Sequence, residues 1–135
     1  MSYEEPCFIE GNAWQYMWFV PQNPKGLIEL LGGEKGFIKK LDENFTLTAT
    51  SGEVNGNASG FVGQYAHGNE PSHHTAYLYN FAGQPWRTQE LVNQIRSTFY
   101  NETPCGYAGN DDCGQMSAWY IFSALGFYPF NAGSA

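Results

Sequence analysis

Two adjacent carboxylates, Asp111 and Asp112, are the side chains in this sequence best placed to do chemistry. They follow a glycine–asparagine turn and precede an apolar, aromatic helix predicted over Gly114 to Leu125. Because such a helix must be buried, it would hold the acids at a fixed depth, as a general base or a metal ligand requires. The alternative is a plain acidic helix N-terminus, which complements the helix dipole. Since neighbouring side chains seldom face the same way, we expect only one to point into a site.

Glu10 is the second candidate for proton transfer, and it lies in an aromatic sequence between Phe8 and Trp14. Aromatic surroundings favour the protonated form of a carboxyl group, which could then give its proton to a leaving oxygen. The alternative is an acid in the first turn of a helix, stabilised by the helix dipole. The residues alone leave both interpretations open.

Asn69 and Glu70 offer two neighbouring oxygen ligands in a loop, an arrangement that suits calcium better than zinc. The alternative is an Asn/Glu helix start before Pro71. The three histidines do not favour zinc, because the chain has neither an HExxH motif nor a paired CxxC motif. We expect histidines that bind a polar ligand or simply pack in the core: His67, His73 and His74.

Composition excludes some classes of function. The net charge of −7, from 13 acidic and 6 basic residues, disfavours nucleic acid as a partner. No apolar run approaches the length of a membrane span. The three cysteines match no metal spacing, and an odd number cannot pair fully, so free thiols or one Cys105–Cys113 bridge are both open. The aromatic fraction of 17% indicates a deep core, a carbohydrate-facing surface or a surface covered by further chain.

The elements that must position these acids are predicted to be helices joined by long, polar, glycine-rich loops. Equivalent loops on successive helical hairpins would bring the three acidic loops to one face, as in a helical toroid. The fold class is therefore predicted to be all-α, without strands and with an irregular loop from Thr46 to Gly63. Apolar periodicity, prolines and glycines indicate these segments: Ala13 to Val20, Lys25 to Leu31, Glu34 to Phe45, Pro71 to Phe81, a helix capped by Thr88, and Gly114 to Leu125.

Four segments stand out, in order, over nearly the whole chain: Glu10 to Tyr16, Gly63 to His74, Gly83 to Trp86 and Gly109 to Trp119. Together they resemble family 92 of the glycoside hydrolases, the calcium-dependent exo-acting α-mannosidases. The resemblance implies an N-terminal β-sandwich followed by an (α/α)6 toroid. The chain resembles only the later part of the toroid, so residues 1–135 are expected to be a partial catalytic domain that lacks the β-sandwich.

The resemblance also implies roles for individual residues. Glu10 stands where the family has its general acid, and Asp112 where it has the general base of an inverting reaction, with Asp111 alongside. A second family aspartate two positions before the base is replaced here by Asn110. Asn69 and Glu70 are assigned to the Ca²⁺ site, which in the family binds sugar hydroxyls. The expected substrate-binding residues are Trp14, His67 and Gln64.

The resemblance implies that the intact protein removes terminal α-linked mannose from mannosides or N-glycans, in the periplasm, at the cell surface or outside the cell. The expected partners are a mannose-containing oligosaccharide and the β-sandwich of the same protein. The 135-residue chain alone is expected to be inactive and to self-associate. The alternative is a carbohydrate-binding or interaction module without catalysis.

Overall fold

The computed structural model describes residues 6–48 and 59–131. In this part of the chain the fold is mostly helical, which confirms the predicted helical character, with one small antiparallel hairpin. None of the described helices is long and apolar enough to cross a membrane. The elements are α1 Ala13–Tyr16, α2 Pro24–Leu30, α3 Gly33–Thr46, β1 Phe61–Val62, β2 Tyr65–Ala66, 3-10 helices Glu70–Ser72 and Thr75–Ala82, α4 Pro85–Phe99, and α5 Gln115–Leu125.

Helices α2, α3 and α5 follow the sequence pattern closely. The side chain of Asn23 accepts a hydrogen bond from the Gly26 N–H at 2.9 Å and so caps α2, which begins at Pro24. Gly126, with a φ of 86°, ends α5 in the left-handed conformation that glycine adopts without steric cost.

The helix predicted from Pro71 to Phe81 is wrong in type, because the segment forms two 3-10 helices. Six of the eight residues of the second one are buried, so the segment passes through the core without a continuous polar face. Gly83 ends it, as predicted, with its N–H bound to the Tyr79 carbonyl. Thr88 is not a cap: α4 begins at Pro85, and the Thr88 hydroxyl donates to the Ala76 carbonyl at 2.9 Å.

The prediction of a chain without strands is wrong at β1 and β2, which pair over two residues each. The turn between the two strands, Gly63 and Gln64, is held against the end of α3 by a hydrogen bond from the Gln64 N–H to the Asn44 carbonyl at 2.7 Å. A Cβ at Gly63 would lie 2.4 Å from the Phe45 carbonyl carbon, so only glycine fits there.

The apolar segment predicted from Ala13 is helical only to Tyr16. Residues 49–58 of the predicted loop lie outside the described part of the chain.

One hydrophobic core joins α2, α3, the second 3-10 helix, α4 and α5. Its centre is aromatic, which accounts for much of the aromatic content of the sequence. The three thiols of the described residues, Cys7, Cys105 and Cys113, are free and exposed. The largest fully buried apolar side chains are Trp18, Trp119, Tyr65, Tyr79, Phe37, Leu41, Leu78 and Ile95.

Candidate active site

Three carboxylate residues from three separate loops lie near one another: Glu10, Glu70 and Asp112. Burial raises the pKa of the Glu70 carboxyl above its usual range, and the contact with Asp112 and the charges of Asp112 and Glu10 raise it further. The Glu70 carboxyl lies within hydrogen-bonding reach of the Asp112 carboxyl. The loops therefore bring acids from positions 10, 70 and 112 to one region.

Glu10 is exposed and has a φ of 54°, in the left-handed region that non-glycine residues rarely occupy. Its backbone carbonyl accepts a hydrogen bond from Asn69 Nδ2 at 3.0 Å. This contact fastens the Glu10 loop to the loop that carries Glu70. Asn69 is thus already committed through its amide nitrogen, and Oδ1 is the side-chain atom that could bind a cation.

The adjacent acids Asp111 and Asp112 take different directions. Asp111 Oδ1 accepts hydrogen bonds from the backbone N–H and the hydroxyl of Ser117, both at 2.9 Å, so it caps the first turn of α5. The next residues turn the chain sharply, with φ of 44° at Asp112, 60° at Cys113 and 91° at Gly114. The turn directs the Asp112 carboxyl towards Glu70.

Glu70 also lines a cleft of about 340 Å³ whose other walls are largely aromatic. No hydrogen-bond partner in the described part of the chain reaches Glu70 Oε1, although that atom is buried. A buried carboxylate oxygen without a donor fits a cation, and oxygen donors suit calcium. No described group of three or more His, Cys, Asp and Glu residues forms a ready-made metal site. Asn69 and Glu70 would therefore form only part of a coordination shell.

His67 and Gln64 are fully buried and offer a sugar no surface in this structure. His67 Nδ1 lies 2.7 Å from the Tyr65 hydroxyl and Nε2 2.7 Å from the Tyr100 hydroxyl. Gln64 Oε1 accepts from Asn12 Nδ2 at 2.8 Å. Both side chains therefore make hydrogen bonds within the core, and His67 fits the alternative of a packed histidine.

The other two histidines are packed as well. His73 Nε2 donates to the His67 carbonyl at 2.8 Å, and His74 Nε2 donates to the Trp18 carbonyl at 2.6 Å. Burial lowers the pKa of His67 to about 2 and that of His73 to about 4. These two imidazoles are therefore neutral over the physiological range.

Trp14, expected to contact a sugar, is half-buried, and the Lys40 ammonium lies 3.5 Å from the centre of its ring. A cation–π contact therefore uses one face of the indole.

Sequence reasoning missed two residues that the structure brings to the region. The hydroxyl of Tyr16 donates to the carbonyl of Ile9, beside Glu10, at 2.6 Å. Gln115 lines the same cleft as Glu70, and its Nε2 donates to His73 Nδ1 at 3.1 Å. Tyr16 stands six residues after Glu10 and Gln115 three after Asp112, but spacing alone could not show which atoms they bind.

Known proteins resemble this chain in sequence and in fold. The sequence profile of the glycosyl hydrolase family 92 catalytic domain matches residues 2–135. A solved family 92 α-mannosidase from Bacteroides thetaiotaomicron, in complex with mannoimidazole, is 47% identical with a TM-score of 0.81, over 87% of this chain and 15% of that chain. A second structure of that enzyme is 48% identical with a TM-score of 0.80, over 90% and 15% of the two chains.

A relative from Arthroderma benhamiae, described as an uncharacterized secreted glycosidase, is 30% identical over 127 residues. The match covers 89% of this chain and 14% of that protein, so the chain spans about a seventh of the relatives it matches. The match to the catalytic-domain profile over almost every residue defines the class of protein as glycoside hydrolase. The chain belongs to glycosyl hydrolase family 92.

Proposed function

We propose that the protein carrying this chain is an inverting, calcium-dependent α-mannosidase that removes terminal α-linked mannose from oligosaccharides, including N-glycans. The observation that carries the proposal is the gathering of three acidic loops in a chain 47% identical to a family 92 α-mannosidase. The alternative is a non-catalytic sugar-binding module. It would need no carboxyl at Glu10 opposite Asp112, so it leaves that pair unexplained.

Glu10 is the proposed general acid, which gives its proton to the glycosidic oxygen as the bond to the leaving group breaks. Asp112 is the proposed general base, which takes a proton from the water that attacks the anomeric carbon. An inverting reaction needs roughly 6.5–9.5 Å between the two carboxyls, so that the water fits between base and sugar. Glu70 and Asp112 are in contact, so they cannot be that pair.

Asn69 Oδ1 and Glu70 Oε1 are the atoms that would hold the proposed Ca²⁺. Bound there, the ion would supply ligand positions for sugar hydroxyls and help to distort the ring. The chain's own contribution is the raised pKa of Glu70, which cation binding would lower, because a positive charge favours the ionised form.

The proposed context of the site is the later part of an (α/α)6 toroid, with a β-sandwich of the same protein completing the sugar pocket. The chain spans 14–15% of the relatives it matches, so proteins of that length have room for both parts. The proposed location of the whole protein is outside the cytoplasm, in the periplasm, at the cell surface or beyond it. The description of the Arthroderma relative as secreted supports export.

The test is mannose release by the full-length protein from an aryl α-mannoside and from an α-linked mannobiose, before and after calcium chelation. We expect turnover of both substrates, loss with chelator, and recovery when Ca²⁺ is returned. Calorimetric binding of mannose without any turnover would instead support the sugar-binding module. Turnover unaffected by exhaustive chelation would contradict the calcium proposal alone.

A further inference from the structure

We propose that Tyr16 and Asn69 are positioning residues that hold Glu10 in its proton-donating orientation. The inference rests on the proposed role of Glu10 as the general acid. It gives Asn69 a second task through its amide nitrogen, separate from the cation-binding task proposed for Oδ1. It also gives a positioning role to Tyr16, for which the sequence alone predicts no role.

The backbone of Glu10 needs support from its surroundings. A φ of 54° places this residue in the left-handed region, where the Cβ of an L-residue crowds the following carbonyl oxygen. Such a conformation persists only where neighbouring contacts overdetermine it. An exposed loop residue without those contacts would relax to a negative φ and carry its carboxyl away.

Two side-chain donors supply those contacts, one on each side of Glu10. The Tyr16 hydroxyl donates to the Ile9 carbonyl at 2.6 Å, and Asn69 Nδ2 donates to the Glu10 carbonyl at 3.0 Å. These carbonyls belong to the two peptide planes that flank the Glu10 Cα. Because φ and ψ describe how those planes are turned relative to the Cα, fixing both planes fixes both angles.

The two donors are themselves held in place. Asn69 is 7% exposed, its N–H donates to the Ala66 carbonyl at 3.3 Å, and its carbonyl accepts from the Ser72 N–H at 3.1 Å. The Tyr16 ring lies against the backbone at Gly11, where a Cβ would stand 2.8 Å from Tyr16 Cε2. Glycine at position 11 therefore allows the tyrosine to reach back to the Ile9 carbonyl.

The expected consequence is a defect that depends on the leaving group. A misplaced acid slows reactions whose leaving oxygen must be protonated, whereas a dinitrophenolate leaves without a proton. Loss of fold stability or of calcium would lower the rates of both substrates alike. The ratio of the two rates therefore separates positioning from a merely structural role.

The experiment compares Tyr16→Phe and Asn69→Asp with the wild type in the full-length protein, using an α-linked mannobiose and 2,4-dinitrophenyl α-mannoside. Tyr16→Phe removes only the hydroxyl, and Asn69→Asp removes the N–H donor but keeps an oxygen for the cation. We expect kcat on mannobiose to fall about tenfold or more in each, as small misplacements can cost up to about a hundredfold. For Tyr16→Phe the aryl rate should stay within about twofold, with half-activating Ca²⁺ unchanged. For Asn69→Asp the mannobiose rate should fall further than the aryl rate.

Two controls accompany these variants. Tyr120→Phe removes the hydroxyl of an exposed tyrosine on α5 and should leave both rates unchanged. Glu10→Gln should show the same leaving-group dependence, more strongly, and it reports on the proposed function by itself. If Glu10→Gln is selective but Tyr16→Phe lowers both rates equally or neither, the positioning role is refuted while the acid role stands. If Glu10→Gln is not selective, the acid role fails and the positioning role fails with it.

Discussion

Glu10 and Asp112 share a left-handed backbone conformation, which the sequence does not predict. Both have a positive φ, 54° and 44°, although neither is glycine. Left-handed non-glycine residues cost of order 1–3 kcal/mol each and cluster where side chains must be aimed for function. Among the described residues only Cys113, next to Asp112, is a third such case. The strain therefore lies at the two carboxyls that the proposed mechanism uses.

Replacing Asp112 by Asn tests the proposed base at the scale of a residue. The amide cannot accept the proton of the attacking water, so kcat should fall by about 10²–10⁴. The loss should be equal for mannobiose and for the dinitrophenyl mannoside, because both reactions need the same water. Steady-state kinetics of the full-length variant measures it. Near-normal turnover of either substrate would remove Asp112 from the mechanism.

The N-terminus of α5 is the element that presents Asp112. It is fixed by Asp111, whose carboxylate accepts from the Ser117 N–H and whose carbonyl accepts from the N–H groups of Gly114 and Met116. Asp111 therefore contributes to the site by fixing the turn that carries Asp112. This arrangement agrees with the expectation that adjacent acids face different ways.

Replacing Asp111 by Ala should lower the free energy of unfolding by about 1 kcal/mol, because the Ser117 N–H in the first turn of α5 loses its side-chain acceptor, as at a lost N-cap. Asp111→Asn keeps an accepting oxygen and should cost only a fraction of that. Urea or thermal denaturation of the two variants measures the difference. Equal destabilisation by both would show that the charge of Asp111, and not its hydrogen bonds, holds the turn.

The packing of the β-hairpin, α4 and α5 around His67 and His73 makes stability depend on pH. Burial keeps their pKa values at about 2 and about 4 in the folded state, against an ordinary 6.5 when unfolded. Below pH 6.5 these histidines bind protons in the unfolded chain but stay neutral in the folded chain. The free energy of unfolding is therefore greatest above that pH and falls as the pH drops towards 4. The slope is about 1.4 kcal/mol per pH unit for each histidine.

Urea midpoints at about pH 7.5 and about pH 5, on either side of the ordinary histidine pKa, check this dependence. His67→Gln should flatten the slope, although it also weakens the core, because one titrating imidazole is gone. A wild-type midpoint that does not move between those two pH values would contradict the proposed burial of the neutral rings.

The elements show what the sequence could and could not foretell. Helices α2, α3 and α5 follow from apolar periodicity with proline and glycine at their ends, because those signals are local. The 3-10 segment Thr75–Ala82 and the two-residue strands do not, because long-range burial decides them. The acids before helices were visible in the sequence, whereas Tyr16 and Gln115 bind atoms that only the folded loops bring near.

At the scale of the whole molecule, several large apolar side chains face outwards among the described residues. The most exposed of them are Leu30 at 83%, Ile9 at 80% and Leu125 at 66%. They lie on three different segments, since Leu30 ends α2, Leu125 ends α5 and Ile9 precedes the proposed acid. Exposed apolar area of this kind commonly marks a surface that further chain or a partner covers.

The isolated 135-residue chain is therefore predicted to have no significant mannosidase activity and to self-associate. It spans only 14–15% of the relatives it matches, so residues from elsewhere in such a protein would be needed to complete the pocket. Light scattering after size-exclusion chromatography, together with an aryl-mannoside assay, tests both parts. A monomer that turns over substrate efficiently would overturn the prediction.

The most direct test of the central claim is the anomer that the full-length protein releases first from an α-mannoside, followed by proton NMR. If Glu10 and Asp112 act across a gap that holds the attacking water, the first product is β-mannose, which only later mutarotates. First release of α-mannose would mean retention through a covalent intermediate, and it would contradict the assignment of these two carboxyls as an inverting pair.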